Sequence, residues 1–300
     1  MSLILNRVAN YQHSRISTYS SKLKSLVGVL QLNSGESHAQ NFHTIENMVE
    51  QCVERGAKLV CLPDRFAYQP SHLGATWSEN IHNGKWFAKY KQLALENQVW
   101  LSLGGFPETH DTDPDYYYSS HFIINSEGQI VSKYRKMHLY VANLQAQGGQ
   151  NVSEDKFMMQ GSEIIDPCFS PVGYLGLSTS YDLRFPELYR HLTLSGAQTL
   201  LIPSAFTAKT GASHWETLLR ARAVENQCYV IAAGQSGKST EGVLNYGHSM
   251  VVDPWGDIIA QASDQANYFL CETNLEFLDE VRSNMNCLTH IRLGTTIQER

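Results

Sequence analysis

The chain has 300 residues, of which 42% are hydrophobic and 17% charged. That supplies a sizeable core and excludes a disordered, collagen-like or low-complexity protein. A formal net charge of -6 argues against a nucleic-acid partner, whose phosphates need a basic surface. No apolar run approaches the roughly 20 residues that cross a bilayer, so no membrane span is expected.

Residues 1–26 carry Arg7, Arg15, Lys22 and Lys24 and several serines, and the first acid is Glu36. This is the composition of a mitochondrial transit segment or of a solvated tail, which gives an expected location in the cytoplasm or the mitochondrion. From Val27 onward short apolar runs alternate with amphipathic segments, and no linker divides residues 27–300, so one domain is expected there. Val27 to Leu32 reads as a buried strand. Residues 38–55 read as a helix with Phe42, Ile45, Met48, Val49 and Cys52 on one face and Gly56 as its stop. Lys58 to Pro63 is the next strand, 85–97 the next helix and Trp100 to Gly105 the strand after it. Tyr117 to Ile124 and Gln129 to Tyr134 follow, joined by the turn Asn125-Ser-Glu-Gly128.

The second half repeats the pattern. Val172 to Leu177 reads as a strand, and a helix starts near Pro186 and stops at Gly196. Thr199 to Pro203 is a strand, 213–226 a helix and Cys228 to Ala233 a strand. Gly247 to Val252 and Asp257 to Ala262 form a hairpin around Asp253-Pro-Trp-Gly256. Phe269 to Thr273 reads as an edge strand and Leu275 to Met285 as a short helix. Gly104-Gly105 runs into Phe106-Pro107, which cannot open a nucleotide-binding helix.

The six cysteines and 12 histidines form no CxxC, HxxxH or HxH pair, so neither a metal nor a cofactor is expected. The cysteines have mostly apolar neighbours and read as free, buried thiols. Polar residues stand just after three apolar strands: Asp64, Lys136 and Ser180. Strand C-termini in open α/β sheets are where sites collect. Taken singly, Asp64 and Ser180 could equally cap turns or helices, and Lys136 could be solvated. Arg220 and Arg222, beside Glu216 and Glu225 on one helix, read as i,i+4 ion pairs.

The strings around those three positions are more specific. Leu62-Pro-Asp-Arg-Phe66, Tyr134-Arg-Lys-Met-His-Leu139 and Ser180-Tyr-Asp-Leu-Arg-Phe-Pro-Glu187 resemble the three signature segments of the nitrilase (carbon–nitrogen hydrolase) superfamily. Trp100 to Phe106, Pro203 to Thr207, His214-Trp-Glu216, Arg220 to Tyr229 and Tyr246 to Gly256 resemble its Nit branch, the deaminated glutathione amidases. The resemblance runs from about Val27 to Met285.

The resemblance implies a four-layer αββα sandwich and a Glu-Lys-Cys triad, in which a thiolate attacks an amide carbonyl while glutamate moves the proton and lysine holds the oxyanion. Lys136 matches the lysine. Asp64 stands where the family has glutamate, and Ser180 where it has the nucleophilic cysteine. Glu154 falls where a second glutamate supports the lysine, although a solvated loop acid reads as well. Tyr181, next to the nucleophile position, is placed to give its backbone N–H to the oxyanion. Phe206, Thr207 and Thr210 match a substrate loop, with ordinary turn packing as the alternative. The implied partner is a small carboxylated amide, and the implied assembly is a homodimer or higher oligomer, with Leu188, Tyr189 and Leu192 as its candidate contact. The stretch after Met285 is short, so the histidine-triad partner fused to some members of this branch is not expected. Two functions follow from the altered triad: an amidase, or a catalytically impaired homologue that binds a ligand or protein partner on the same scaffold.

Overall fold

Alternation along the strands sorts the apolar side chains into separate cores, and this sets the layering. The computed structural model describes residues 24–69, 77–110, 112–143, 151–239 and 242–292; most of the basic N-terminal stretch lies outside them. Chain order is β1 (Lys24–Gln31), α1 (His38–Glu54), β2 (Leu59–Leu62), α2 (Lys85–Glu96), β3 (Trp100–Thr109), β4 (Tyr117–Ile124), β5 (Ile130–Arg135), β6 (Val141–Ala142), β7 (Val152–Ser153), β8 (Cys168–Ser170), β9 (Gly173–Leu177), α3 (Pro186–Leu194), β10 (Thr199–Leu201), α4 (Ala208–Asn226), β11 (Tyr229–Ala232), β12 (Ser236–Lys238), β13 (Leu244–Tyr246), β14 (Met250–Val252), β15 (Ile258–Gln261), β16 (Asn267–Asn274) and α5 (Leu275–Asn284).

Two six-stranded sheets result, ordered β16-β1-β2-β3-β4-β5 and β15-β14-β11-β10-β9-β8. Each has a parallel centre, β1-β2-β3 in one and β9-β10-β11 in the other, with antiparallel strands outside it. Val27, Val29, Leu59, Cys61 and Ile123 share a core with Leu175, Leu177 and Leu200 of the second sheet. The residues of opposite parity, Leu30, Val60, Leu62, Phe122 and Ile124, pack instead on Phe42, Ile45 and Val49 of α1 and on Phe87, Tyr90 and Leu93 of α2. The outer face of the second sheet is covered by Leu188, Tyr189 and Leu192 of α3 and by Trp215, Leu219 and Ala223 of α4. Because successive strand residues point to opposite faces, one sequence period serves both interfaces. The layers are α, β, β and α.

Four readings of the sequence change in detail. Leu188, Tyr189 and Leu192 are 3%, 0% and 1% exposed, so the one apolar stripe of α3 is consumed by its own sheet and cannot form the dimer contact expected of it. Helix α4 starts at Ala208 rather than at 213. The early start is possible because Gly211 faces the Tyr246 ring, which occupies the space a Cβ would need; Thr210 therefore lies in a helix and not in a loop. Strand β1 begins at Lys24, inside the stretch read as tail, where Lys24 pairs with Asn274 in the ladder and its Nζ meets Glu272 at 2.9 Å. Cys287 is exposed and Cys168 half-buried, unlike the buried thiols of Cys52, Cys61, Cys228 and Cys271.

Polar ties cross the gap between the sheets. His121 on β4 is fully buried; its Nδ1 donates to the carbonyl of Ser178 at 2.9 Å, and its Nε2 accepts from Ser102 Oγ at 2.7 Å. Burial pushes the imidazole down from 6.5 to about 4, so the folded protein keeps it neutral. A group whose folded pKa is depressed contributes stability that is present above its unfolded pKa and lost as the pH falls toward the folded one. Between about pH 6.5 and 4 we expect roughly 3 kcal/mol of stability to disappear through His121. Urea denaturation at pH 7.0 and 4.5 checks this: His121→Gln should flatten the pH dependence, and an equal slope in the variant would contradict it.

Candidate active site

The first parallel strand set ends against the second at a point where two side chains are missing. A Cβ on Gly104 would strike the Pro203 ring, and one on Gly105 would strike Oδ1 of Asp64. The β3–β4 register shifts between Leu103 and Phe106, a bulge at these glycines, and Gly105 has φ +61, a backbone conformation that L residues seldom adopt. Asp64 follows β2 and is thereby seated in the space left by Gly105. It is 3% exposed, accepts from Ser119 Oγ at 3.4 Å on Oδ1, and accepts from Gln235 Nε2 at 3.0 Å on its backbone carbonyl. Burial pushes its carboxyl above the usual range, and the nearby positive charges of Lys136 and Arg65 oppose that rise.

Lys136 follows β5 and is 1% exposed, so it is not the solvated lysine that its position alone allowed. Its Nζ donates to Oε2 of Glu154 at 2.6 Å. The same carboxylate accepts from the Tyr140 N–H at 2.7 Å and, through Oε1, from Arg65 Nη2 at 3.3 Å. Burial alone would raise the Glu154 carboxyl, but the Lys136 ammonium and the Arg65 guanidinium outweigh it and hold it below its ordinary value. Both charges of the pair are removed from water, and each is matched by a short, charged hydrogen bond.

Ser180 follows β9 at a sharp elbow. Its φ is +53 and its N–H donates to the Pro203 carbonyl at 2.8 Å. A non-glycine residue in the left-handed region costs free energy that the surrounding structure must hold, and such strain collects at functional sites. The holding group is Asp182, which is fully buried. Its Oδ2 accepts from the Thr179 N–H at 2.8 Å and from Tyr134 Oη at 2.7 Å, and its Oδ1 accepts from the His138 N–H at 3.0 Å. His138 stacks on Phe185 with ring centroids 3.6 Å apart. Arg222 grips the other side, donating through Nε and Nη2 to the Leu183 carbonyl at 3.2 and 2.8 Å. The ion-pair reading of Arg222 is therefore incomplete: it does meet Glu225 at 2.8 Å, but its larger role is to hold the elbow. Ser180 opens a short 3-10 turn ending at Arg184, and α3 is started instead by Phe185 and Pro186.

These strand ends enclose a cavity of about 310 Å³ lined by Asp64, Glu154, Ser180, Tyr181, Phe206, Thr207 and Thr210. Lys136 is not among the residues that line it; its ammonium meets Glu154, which does. Thr207 and Thr210 join through their hydroxyls at 2.9 Å on the first turn of α4. Residues given no role from sequence also reach the cavity: Arg65, Tyr140, Arg184, Lys209 and Asn245. Arg65 and Arg184 stood inside signature strings, but nothing in a string says which way a side chain faces. Asn245 carried no signal at all. Among the described residues no group of three or more His, Cys, Asp or Glu is placed to hold a metal ion.

The carbon–nitrogen hydrolase family model matches residues 26–283, and the chain belongs to that family. Within it the chain is similar to the deaminated glutathione amidase of Dictyostelium discoideum, 42% identical over 91% of this chain and 95% of that protein. It is 39% identical to the nitrilase and fragile histidine triad fusion protein NitFhit of Caenorhabditis elegans, over 90% of this chain but 61% of that protein's length. The NitFhit crystal structure superposes with a TM-score of 0.83, covering 91% of this chain and 66% of that one. Saccharomyces cerevisiae Nit3, a member of the nitrilase superfamily, superposes at 0.78 with 28% identity over 89% of this chain and 96% of that one.

The buried Lys136–Glu154 pair makes a specific demand on stability. Glu154→Gln leaves an ammonium in the interior without a carboxylate and should cost about 3–5 kcal/mol, read as a lowered urea midpoint. Lys136→Met combined with Glu154→Gln should cost clearly less than the two single changes added together. Additive losses would mean that the two groups do not act as a pair.

Proposed function

We propose that this protein binds a small carboxylated amide in the cavity at the strand ends and that its hydrolytic chemistry is severely impaired. The supporting observation is the surroundings of the Ser180 hydroxyl. A serine nucleophile needs a strong, well-placed base, usually histidine, and among the described residues no histidine lines the cavity. The carboxylate on offer, Asp64, is one methylene shorter than glutamate, which withdraws its oxygens by roughly 1.5 Å. Its Oδ1 is engaged by Ser119 and lodged against Gly105. A misplacement of about 1 Å can lower a rate a hundredfold. Burial also favours the protonated carboxyl, which donates a hydrogen bond but takes no proton.

In a turnover the Ser180 oxygen would bond to the amide carbon and pass its proton to Asp64. The amine would leave with that proton, and water would then release the acyl group from Ser180. The first transfer is the step that the shortened acid handicaps. Binding makes no such demand, because serine is nearly isosteric with cysteine and leaves the cavity's shape intact. A second reading, a slow amidase, draws on Lys136, whose ammonium, held by Glu154, lies near enough to Asp64 to oppose the rise of its carboxyl.

The test is a steady-state assay on deaminated glutathione with the parent, Ser180→Cys, Asp64→Glu and the double variant. A thiol ionises near about 8.5 and needs only a modest push, yet Ser180→Cys alone should gain little while the base stays withdrawn. The double variant should gain more than the product of the single gains, since groups that act as a unit do not add. A double variant as inactive as the parent would show that the cavity has diverged beyond the triad. A parent already as fast as the double variant would refute impairment.

A further inference from the structure

A second, smaller space adjoins the seat of Asp64. This chamber measures about 20 Å³ and is lined by Arg65, Tyr68, Trp77, Gly105, Ser119 and Met158, among others. One water needs roughly 10–15 Å³ and about two to four polar partners, and the chamber wall offers them. Ser119 is 3% exposed, and its hydroxyl keeps acceptor lone pairs after donating to Asp64. The β3–β4 ladder steps from Leu103 to Phe106, so the bulge takes the peptide groups of Gly105 out of that ladder at the chamber wall. Tyr68 and Trp77, both half-buried and with ring centroids 5.8 Å apart, stand between the chamber and solvent.

Asp64 lines the ligand cavity, yet its Oδ1 is turned to Ser119 and Gly105, which line the chamber. The acid is 3% exposed, so a ligand in the cavity covers the side through which its proton could otherwise exchange. The Ser119 bond to Oδ1 is long, at 3.4 Å, against about 2.5–3.0 Å for a well-formed hydroxyl bond. A hydroxyl held so loosely turns readily between two acceptors. We infer that the chamber holds one water and that Ser119 links it to Asp64, giving the acid a proton outlet that stays open while the cavity is filled. A proton on Oδ1 passes to Ser119 Oγ as the Ser119 hydroxyl gives its own proton to the water. The water releases one proton to solvent past Tyr68 and Trp77, and the hydroxyl turns back to Oδ1. One proton leaves Asp64 for each that reaches solvent, and only O–H bonds break and form. The outlet does not depend on which ligand fills the cavity.

Infrared spectroscopy reads that proton directly. Ser180→Cys labelled with N-phenylmaleimide blocks the cavity side, and Cys287→Ser removes the exposed thiol that would also be labelled. Subtracting the same protein with Asp64→Asn isolates the C=O band of the protonated Asp64 carboxyl at about pH 5, where burial favours that form. On mixing into D2O the band should shift promptly, and adding Ser119→Ala should slow the shift at least about tenfold, the rate cost of losing one hydrogen-bonded step. Equal rates with and without Ser119→Ala would overturn the outlet. Absence of the band would overturn it too, because the path would have no proton to carry. A high-resolution crystal structure of the parent supplies a measurement that needs no variant to fold. It should show one water within hydrogen-bonding distance of Ser119 Oγ, and a chamber without one would refute the inference.

Discussion

The site depends on a close approach that two glycines permit. At Gly104 the first sheet meets the Pro203 ring, and at Gly105 it meets the Asp64 carboxylate, with no room for a Cβ at either position. Pro203 in turn accepts the Ser180 N–H. One contact between the sheets therefore sets the positions of the acid, the hydroxyl and the loop leading to α4. A side chain at either glycine would push the two strand ends apart and open the cavity where its chemistry is concentrated.

Charge burial organises the rest. Lys136 and Glu154 occupy the interior as a pair, with Arg65 and the Tyr140 N–H using the remaining acceptor capacity of the carboxylate. Among the described residues the Asp64 carboxylate accepts from Ser119 alone, and burial raises it against the pull of Lys136 and Arg65. Two acids in one cavity are thus driven in opposite directions, one held ionised by its cations and the other pushed toward its neutral form. Impaired turnover and retained binding, as proposed, are compatible within this arrangement because they draw on different groups.

The Asp182 hub explains how a strained elbow survives. Four hydrogen bonds, one each from Thr179 and Tyr134 and two from His138, converge on one buried carboxylate, and Arg222 fixes the carbonyl of the neighbouring Leu183. The elbow is thereby tied both to the end of β5 and to α4. The segment from Asp182 to Glu187 thus retains a structural role whatever happens at Ser180.

Periodicity was sufficient for most of the architecture. The parity of Val27 and Val29 against Leu30, and of Leu59 and Cys61 against Val60 and Leu62, encodes two buried faces in a few residues. Ordered signature strings marked Asp64, Lys136 and Ser180 as neighbours of a shared site. What those strings could not carry was orientation. The apolar stripe of α3 reads the same whether it meets its own sheet or a second molecule, and only the packing assigned it to the sheet. Lys136 reads like any lysine until Glu154 arrives from a loop eighteen residues away to bury it. Asn245, on a three-residue strand, becomes part of the cavity because β13 is laid beside the start of α4. Local sequence determines which face of an element is apolar, since that follows from backbone geometry; which groups meet across a cavity depends on long-range contacts that no local pattern contains.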